Sequence, residues 1–212
     1  MFESTIAIAK ELARLHGHER ILLVTPGPHG AELLPELFAS FAAHSLTVLE
    51  SSLERLRKLS TARANVRRVQ GQATRLPFKR HSFEAVLSFE ALYSIRPPWT
   101  ALAEFHRVLV PNGALILMEP SRLGFFSTMR DKISGPGKRV FSLAEIKYRM
   151  ARGDYAIDKV ESLNAGNGMT RPAYFIRAVK LENAVKPAPQ FLTAKEMIER
   201  RKNKPAKGEE LP

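Results

Sequence analysis

The sequence predicts an α/β protein whose mostly parallel sheet is covered by helices on both faces. Three observations carry this. Short apolar runs at Ile21–Val24, Leu46–Leu49, Ala85–Phe89 and Ala114–Met118, and the valine-flanked Val66–Val69 between the second and third of these runs, have the length of strands. Stretches with apolar residues three to four apart separate several of them, as crossover helices require. At 212 residues and 44% apolar composition, the chain can bury one good core.

Taken in order, Ser4–Leu15 carries Ile6, Ala9, Leu12, Ala13 and Leu15 in a helical stripe that stops at His16-Gly17-His18. Ile21–Val24 follows as a strand, then the turn Val24-Thr-Pro-Gly-Pro-His-Gly30, then a helix over Ala31–Phe41 built on Leu33, Leu34, Leu37, Phe38 and Phe41. The second strand ends in Glu50. Ser51-Ser52 caps the helix LERLRKLST, whose Glu54 sits in the first turn, where the helix dipole favours a negative charge. After the third and fourth strands, Pro97-Pro98 opens the helix WTALAEFHRVL, which is expected to stop in a turn at Val110-Pro111-Asn112-Gly113. Residues 122–140 read either as a loop covering a site or as a short helix. The segment FSLAEIKYRMARGDY is a helix capped at Ser142, with Glu145 at the capping-box spacing. Ala156–Leu163 and Ala173–Val179, joined by NAGNGMTRP without a helix, form an antiparallel hairpin closing the sheet. We expect one domain over residues 1–182 and a basic, largely flexible tail over 183–212, with one short helix near Thr193–Arg201.

Composition excludes several chemistries. There is no cysteine, so disulfides, thiolate metal sites and cysteine nucleophiles are ruled out. His16, His18, His44, His81 and His106 show no metal-ligand spacing, so no metal site is expected. The turn lacks the glycine spacing of a dinucleotide fingerprint and the Gly-Lys-Ser/Thr of a phosphate loop, and no Gly-x-Ser-x-Gly elbow occurs. With no membrane-length apolar stretch and no cleavable leader, the expected location is the cytoplasm. A formal charge of +12 either serves solubility or draws the surface toward anions such as RNA. Oligomeric state leaves no mark in the sequence.

Function shows most clearly in the order of short motifs between Val66 and Pro120: Gly71-Gln72-Ala73, Leu76-Pro77-Phe78, Ser82-Phe83-Glu84-Ala85-Val86 and Arg107-Val108-Leu109-Val110-Pro111-Asn112-Gly113. This order resembles the class I S-adenosylmethionine-dependent methyltransferases, in particular the ubiquinone and menaquinone (type 11) branch. The resemblance implies a three-layer Rossmann-like fold with a seven-stranded sheet and an antiparallel last strand. It also implies S-adenosylmethionine as cofactor and a small or lipid-like methyl acceptor. Cofactor contacts fall by resemblance on Thr25, Gly27 and Gly30 of the turn, Glu50 and Ser51, Gln72 and Ala73, and Ser88 and Phe89. Glycine in the turn lets the backbone approach the cofactor's amino-acid end. Glu50 takes the place of the carboxylate that accepts from the ribose diol. Gln72 takes the place of an aspartate that accepts from the adenine amino group.

Three departures stand against the family pattern. Leu23 occupies a position that is normally acidic, and Thr25 and His29 occupy positions that are more often glycine. His29 is either a polar contact to the cofactor carboxylate or an exposed loop residue. Tyr93 and Glu119, just past the fourth and fifth strands, are the candidates for orienting an acceptor or taking a proton; the alternative is that both are loop residues without such a role. Phe125, Phe126 and Met129 either form a lid over an apolar acceptor or complete the core. The rival to an enzyme is a methyltransferase-like binding module without catalysis, whose basic surface engages RNA or another anionic partner.

Overall fold

The computed structural model describes residues 20–24, 45–58, 66–121, 140–163 and 173–181. They hold strands β1 (Arg20–Val24), β2 (Ser45–Glu50), β3 (Val66–Gln70), β4 (Phe83–Phe89), β5 (Leu109–Pro120), β6 (Tyr155–Leu163) and β7 (Ala173–Lys180). The helices are α1 (Leu53–Lys58), α2 (Ala91–Ser94), α3 (Pro98–Val108) and α4 (Leu143–Arg152). The expected helices at 4–15 and 31–41, the turn at 25–30, the linker 164–172 and the tail lie outside the described residues, as does all of 122–140 except Val140.

The seven strands form one sheet in the order β3-β2-β1-β4-β5-β7-β6. Pairings among β1 to β5 are parallel, and β7 runs antiparallel between β5 and β6. Alternation along each strand sends side chains to opposite faces. Thus Leu22, Val24 and Val86 join one apolar cluster with Leu102 and Phe105 of α3 and Ile146 and Met150 of α4. Ile21, Leu23, Leu87 and Phe175 join the other, with Leu56 of α1. These are the two faces of a three-layer α/β fold. Burying a side chain such as Phe105 or Phe175, both at 0% exposure, contributes about 1.5–3 kcal/mol each.

Local signals explain most boundaries. The Ser52 hydroxyl accepts from the Arg55 amide at 3.3 Å and starts α1; the Ser142 hydroxyl accepts from the Glu145 amide at 3.2 Å and starts α4. Pro98 opens α3. One boundary differs from expectation. α3 ends at Val108, and Val110-Pro111-Asn112-Gly113 is the irregular first part of β5 and not a separate turn. Between the pairs Phe83↔Leu109 and Ala85↔Ala114, β5 carries extra residues, so the strand bulges there. Asn112 takes φ 58°, a conformation Asn tolerates better than most residues. A Cβ on Gly113 would lie 2.9 Å from the Val110 carbonyl oxygen, so the bulge closes only around glycine. Among the described residues no helix is long and apolar enough to cross a membrane.

Candidate cofactor site

Parallel strands bring their C-terminal ends to one edge of the sheet, which is where an α/β fold of this order places ligands. At that edge stand Val24, Glu50, the turn after β3, Ser88-Phe89 and Glu119.

Glu50 is the last residue of β2, and only 2% of it is exposed. Its Oε1 accepts from the Ser51 hydroxyl at 3.1 Å, from the Ser52 amide at 2.8 Å and from the Arg55 guanidinium at 2.7 Å. Burial pushes the carboxyl pKa up, but the hydrogen bonds from Arg55, Ser52 and Ser51 together with the Arg55 charge outweigh it, and the pKa lies below its ordinary value. Glu50 is therefore ionised at neutral pH. Arg55 escaped the sequence reading. Its signal was present, because a basic residue in the first turn of a helix opposes the dipole and asks for a nearby carboxylate.

The turn after β3 begins at Gly71, whose amide donates to the Glu50 carbonyl oxygen at 3.1 Å and so ties the turn to the end of β2. Gln72 is exposed, and its carbonyl accepts from the Arg75 amide at 3.0 Å. Ala73 is buried in the core cluster on the α3 face. Ser88 is completely buried, in register with Val24 and Leu117, and its Oγ has no hydrogen-bond partner among the described residues. An unpartnered buried hydroxyl costs on the order of 1–3 kcal/mol, so among the described residues Ser88 is an unsatisfied polar group of this edge. The Phe89 ring packs into the cluster on the α1 face.

Leu23 is also wholly buried, paired with Val48 and Leu87 in that cluster, and presents only hydrocarbon there. Thr25, Gly27, His29 and Gly30 lie outside the described residues. Tyr93, in α2, is buried, and Glu119, in β5, is 2% exposed. Neither is a loop residue. The Glu119 carboxylate accepts from the amides of Leu92 at 3.0 Å and Tyr93 at 3.1 Å, holding the first turn of α2 against β5. Val140 and Phe141 are buried, and the Phe141 ring meets Trp99 edge-on at 4.9 Å. Phe125, Phe126 and Met129 are outside the described residues.

These groups fit the adenosine half of a nucleoside cofactor. An ionised carboxylate at a strand end, beside a turn that exposes an amide side chain, matches the donors of a ribose diol and an adenine amino group. The sheet order, with its antiparallel β7 between β5 and β6, defines the class I methyltransferase fold. The methyltransferase domain family matches residues 27–117, in agreement with the motif order. A demethylmenaquinone methyltransferase of Renibacterium salmoninarum is 36% identical over 84 residues, which are 40% of this chain and 35% of that protein. The chain thus spans about a third of the length of the curated relatives it matches. Among solved structures, the YcgJ protein of Bacillus subtilis superposes with a TM-score of 0.66 at 18% identity, covering 84% of this chain and 98% of that one. A SAM-dependent methyltransferase of Methanosarcina mazei gives 0.65 at 20% identity, covering 80% and 95%. At such identities the likeness is one of fold.

Proposed function

We propose that this protein transfers a methyl group from S-adenosylmethionine to a small or lipid-like acceptor. The observation that carries the reading is the buried, ionised Glu50 at the end of β2. Its carboxylate accepts from the ribose hydroxyls; the Gln72 amide oxygen accepts from the adenine amino group; the Ser88 hydroxyl offers the third polar contact at this edge. Thr25, Gly27 and Gly30 line the amino-acid end in this reading. When bound, S-adenosylmethionine supplies a sulfonium methyl that is already electrophilic. The chain's own task is then to orient the acceptor and exclude water, and a dedicated base is not required. Tyr93 and Glu119 are accordingly read as walls of the acceptor side. The lipid-like acceptor class is supported by relatives named demethylmenaquinone methyltransferase. We keep residues 1–182 as the methyltransferase domain and 183–212 as an appended tail.

Leu23 supports a second reading, a binding module without catalysis, because no carboxylate stands there to order the loop. Titration calorimetry with S-adenosylmethionine separates the two. Micromolar binding that weakens about 30-fold or more in Glu50→Ala, the scale of a lost charged hydrogen bond or two, supports the enzyme. Thermal melting of the variant checks that the fold persists. No detectable heat with folded wild-type protein overturns the enzyme reading and leaves the binding module.

A further inference from the structure

Between Ser51 and His81 the chain carries nine lysines and arginines against one acidic residue, Glu54, and seven of the nine are arginine. This stretch alone holds a net +8 of the chain's +12. Its described residues, 51–58 and 66–81, lie along one edge of the sheet. β3 is the outermost strand, α1 packs beside it, and residues 71–81 lead from its end back to β4. Arg57, Arg67, Arg68, Arg75, Lys79 and Arg80 are all exposed. Of these, Arg57, Arg67, Arg75 and Lys79 form no ion pair among the described residues. The opposite edge is balanced. From Val140 to Leu163 four acidic residues face four basic ones, and β6 pairs Asp158 with Arg177 and Lys159 with Glu161.

Charges on an edge strand also block strand-to-strand aggregation. That accounts for Arg67 and Arg68 but not for Arg57 on α1 or for Arg75 and Lys79 beyond the strand. We propose that the β3 edge is a binding surface for helical RNA, contacted through its phosphates. Guanidinium forks match phosphate oxygens in bidentate geometry. Phe78 is half-buried and packs edge-on against Phe83 at 4.9 Å, which leaves the His81 imidazole as the one exposed ring of this stretch among the described residues, fewer than the successive stacking platforms that a run of unpaired bases calls for. Among the described residues α1 has six residues and β3 is the single outermost strand of the sheet, whereas the major groove of DNA is entered by a longer helix or a two-stranded ribbon. Backbone contact across the shallow minor groove of A-form RNA needs no such element. A lipid surface would call for apolar groups to insert, and Leu53 is the one large hydrophobic exposed in this stretch among the described residues.

The test is fluorescence anisotropy of the full chain with an RNA duplex of roughly 20 base pairs, titrated between about 50 and 200 mM salt. Two double variants remove the same charge from opposite edges: R67E/R75E on the β3 side and K147E/R152E on α4. We expect R67E/R75E to weaken RNA binding about tenfold or more and to lower the salt slope by about two, one per phosphate contact. K147E/R152E should stay within about twofold of wild type. Circular dichroism confirms the fold, and R67Q/R75Q gives the same comparison at lower amplitude if the reversed pair misfolds. Equal weakening by both variants overturns the proposal, since charge would then act diffusely. So do tighter binding to the matching DNA duplex, tighter binding to anionic phosphatidylserine vesicles, or no RNA binding at about 100 mM salt.

Discussion

The segment that joins α3 to the turn around Leu76 and the C-terminal edge of the sheet both carry partly or fully buried charge, and they use it differently. In the first, the Arg107 guanidinium donates to the Leu76 carbonyl at 3.0 Å, to the Phe78 carbonyl at 2.7 Å and to Glu104 at 2.7 Å. Glu104 in turn accepts from the Leu76 amide at 2.7 Å. The result is a closed clamp between two stretches about 30 residues apart in sequence. At the sheet edge, by contrast, Ser88 keeps a buried hydroxyl without a partner among the described residues, and the Glu50 carboxylate is held ionised by Arg55, Ser52 and Ser51. The clamp spends its polar groups on the chain itself; at the edge Glu50 and Glu119 also bond to the chain, and among the described residues the Ser88 hydroxyl is left unsatisfied.

This difference separates shape from activity. Leu76-Pro77-Phe78 and Arg107-Val108-Leu109, the most specific motifs in the sequence, are the two halves of the clamp. The departures from the family pattern, Leu23 and Gln72, stand at the other region. Motif density therefore speaks for the fold, and the cofactor chemistry rests on fewer residues.

Arg107→Ala should show the largest effect. It leaves the Leu76 and Phe78 carbonyls unpaired and the Glu104 carboxylate, 19% exposed, without the Arg107 cation, and should cost about 3 kcal/mol in urea denaturation. Affinity for S-adenosylmethionine in the folded fraction should not change. Lost binding with unchanged stability would break the comparison, because the clamp would then belong to the site. Arg107→Lys should recover only part of the loss, since one ammonium cannot span the planar set of acceptors.

A smaller effect is expected from Glu119→Gln. The Leu92 and Tyr93 amides donate to different carboxylate oxygens; glutamine keeps one acceptor and sets an NH2 donor against the other amide, so one bond becomes an ordinary one and the other is lost, at about 2 kcal/mol of stability. Glu119 lies at the same edge as Glu50 and is equally buried, so it tests whether position or partnership decides a role. If its work is to hold α2, S-adenosylmethionine affinity stays within about twofold by calorimetry. A large loss of affinity without loss of stability would move Glu119 into the site.

How far the sequence goes can be argued residue by residue. Four of the five parallel strands were legible as short, mostly apolar runs bounded by polar or turn residues; β3, with Arg67 and Arg68 exposed, was legible only from its two valines and its place in the alternation. Ser142 with Glu145 announced α4 through local chemistry alone. The bulge at Pro111-Asn112-Gly113 was not legible, because a turn and a bulge ask for the same residues and only the pairing with β4 tells them apart. The cap that Glu119 makes on α2 joins groups 26 and 27 residues apart in sequence, a separation at which periodicity says nothing. For Glu50 the strand-end position could be read. Its partner Arg55 needed the turn between β2 and α1.

The smallest effect is expected at the opposite end of the sheet, and it tests whether the two ends titrate apart. His106 on α3 is half-buried, with Nε2 lacking a partner among the described residues and its ring edge-on to Tyr155 at 5.3 Å. Burial and the nearby Lys180 ammonium, which donates to the Leu109 carbonyl at 2.7 Å, lower its pKa against the opposing pull of Asp154. The unfolded chain then binds this proton more readily than the folded one. Stability is fully present above the unfolded histidine pKa of about 6.5 and falls as pH drops below it. Glu50, Glu84 and Glu104 all have lowered pKa values, so their contributions are lost only at more acid pH, below the ordinary carboxylate value of 4.5. Between about pH 7.5 and 5.5, wild-type Tm should therefore decline while His106→Gln stays flatter, and S-adenosylmethionine affinity should hold in both. A matching decline in affinity over that window would mean that the ends are coupled, and that the edge depends on a proton held at the far side of the sheet.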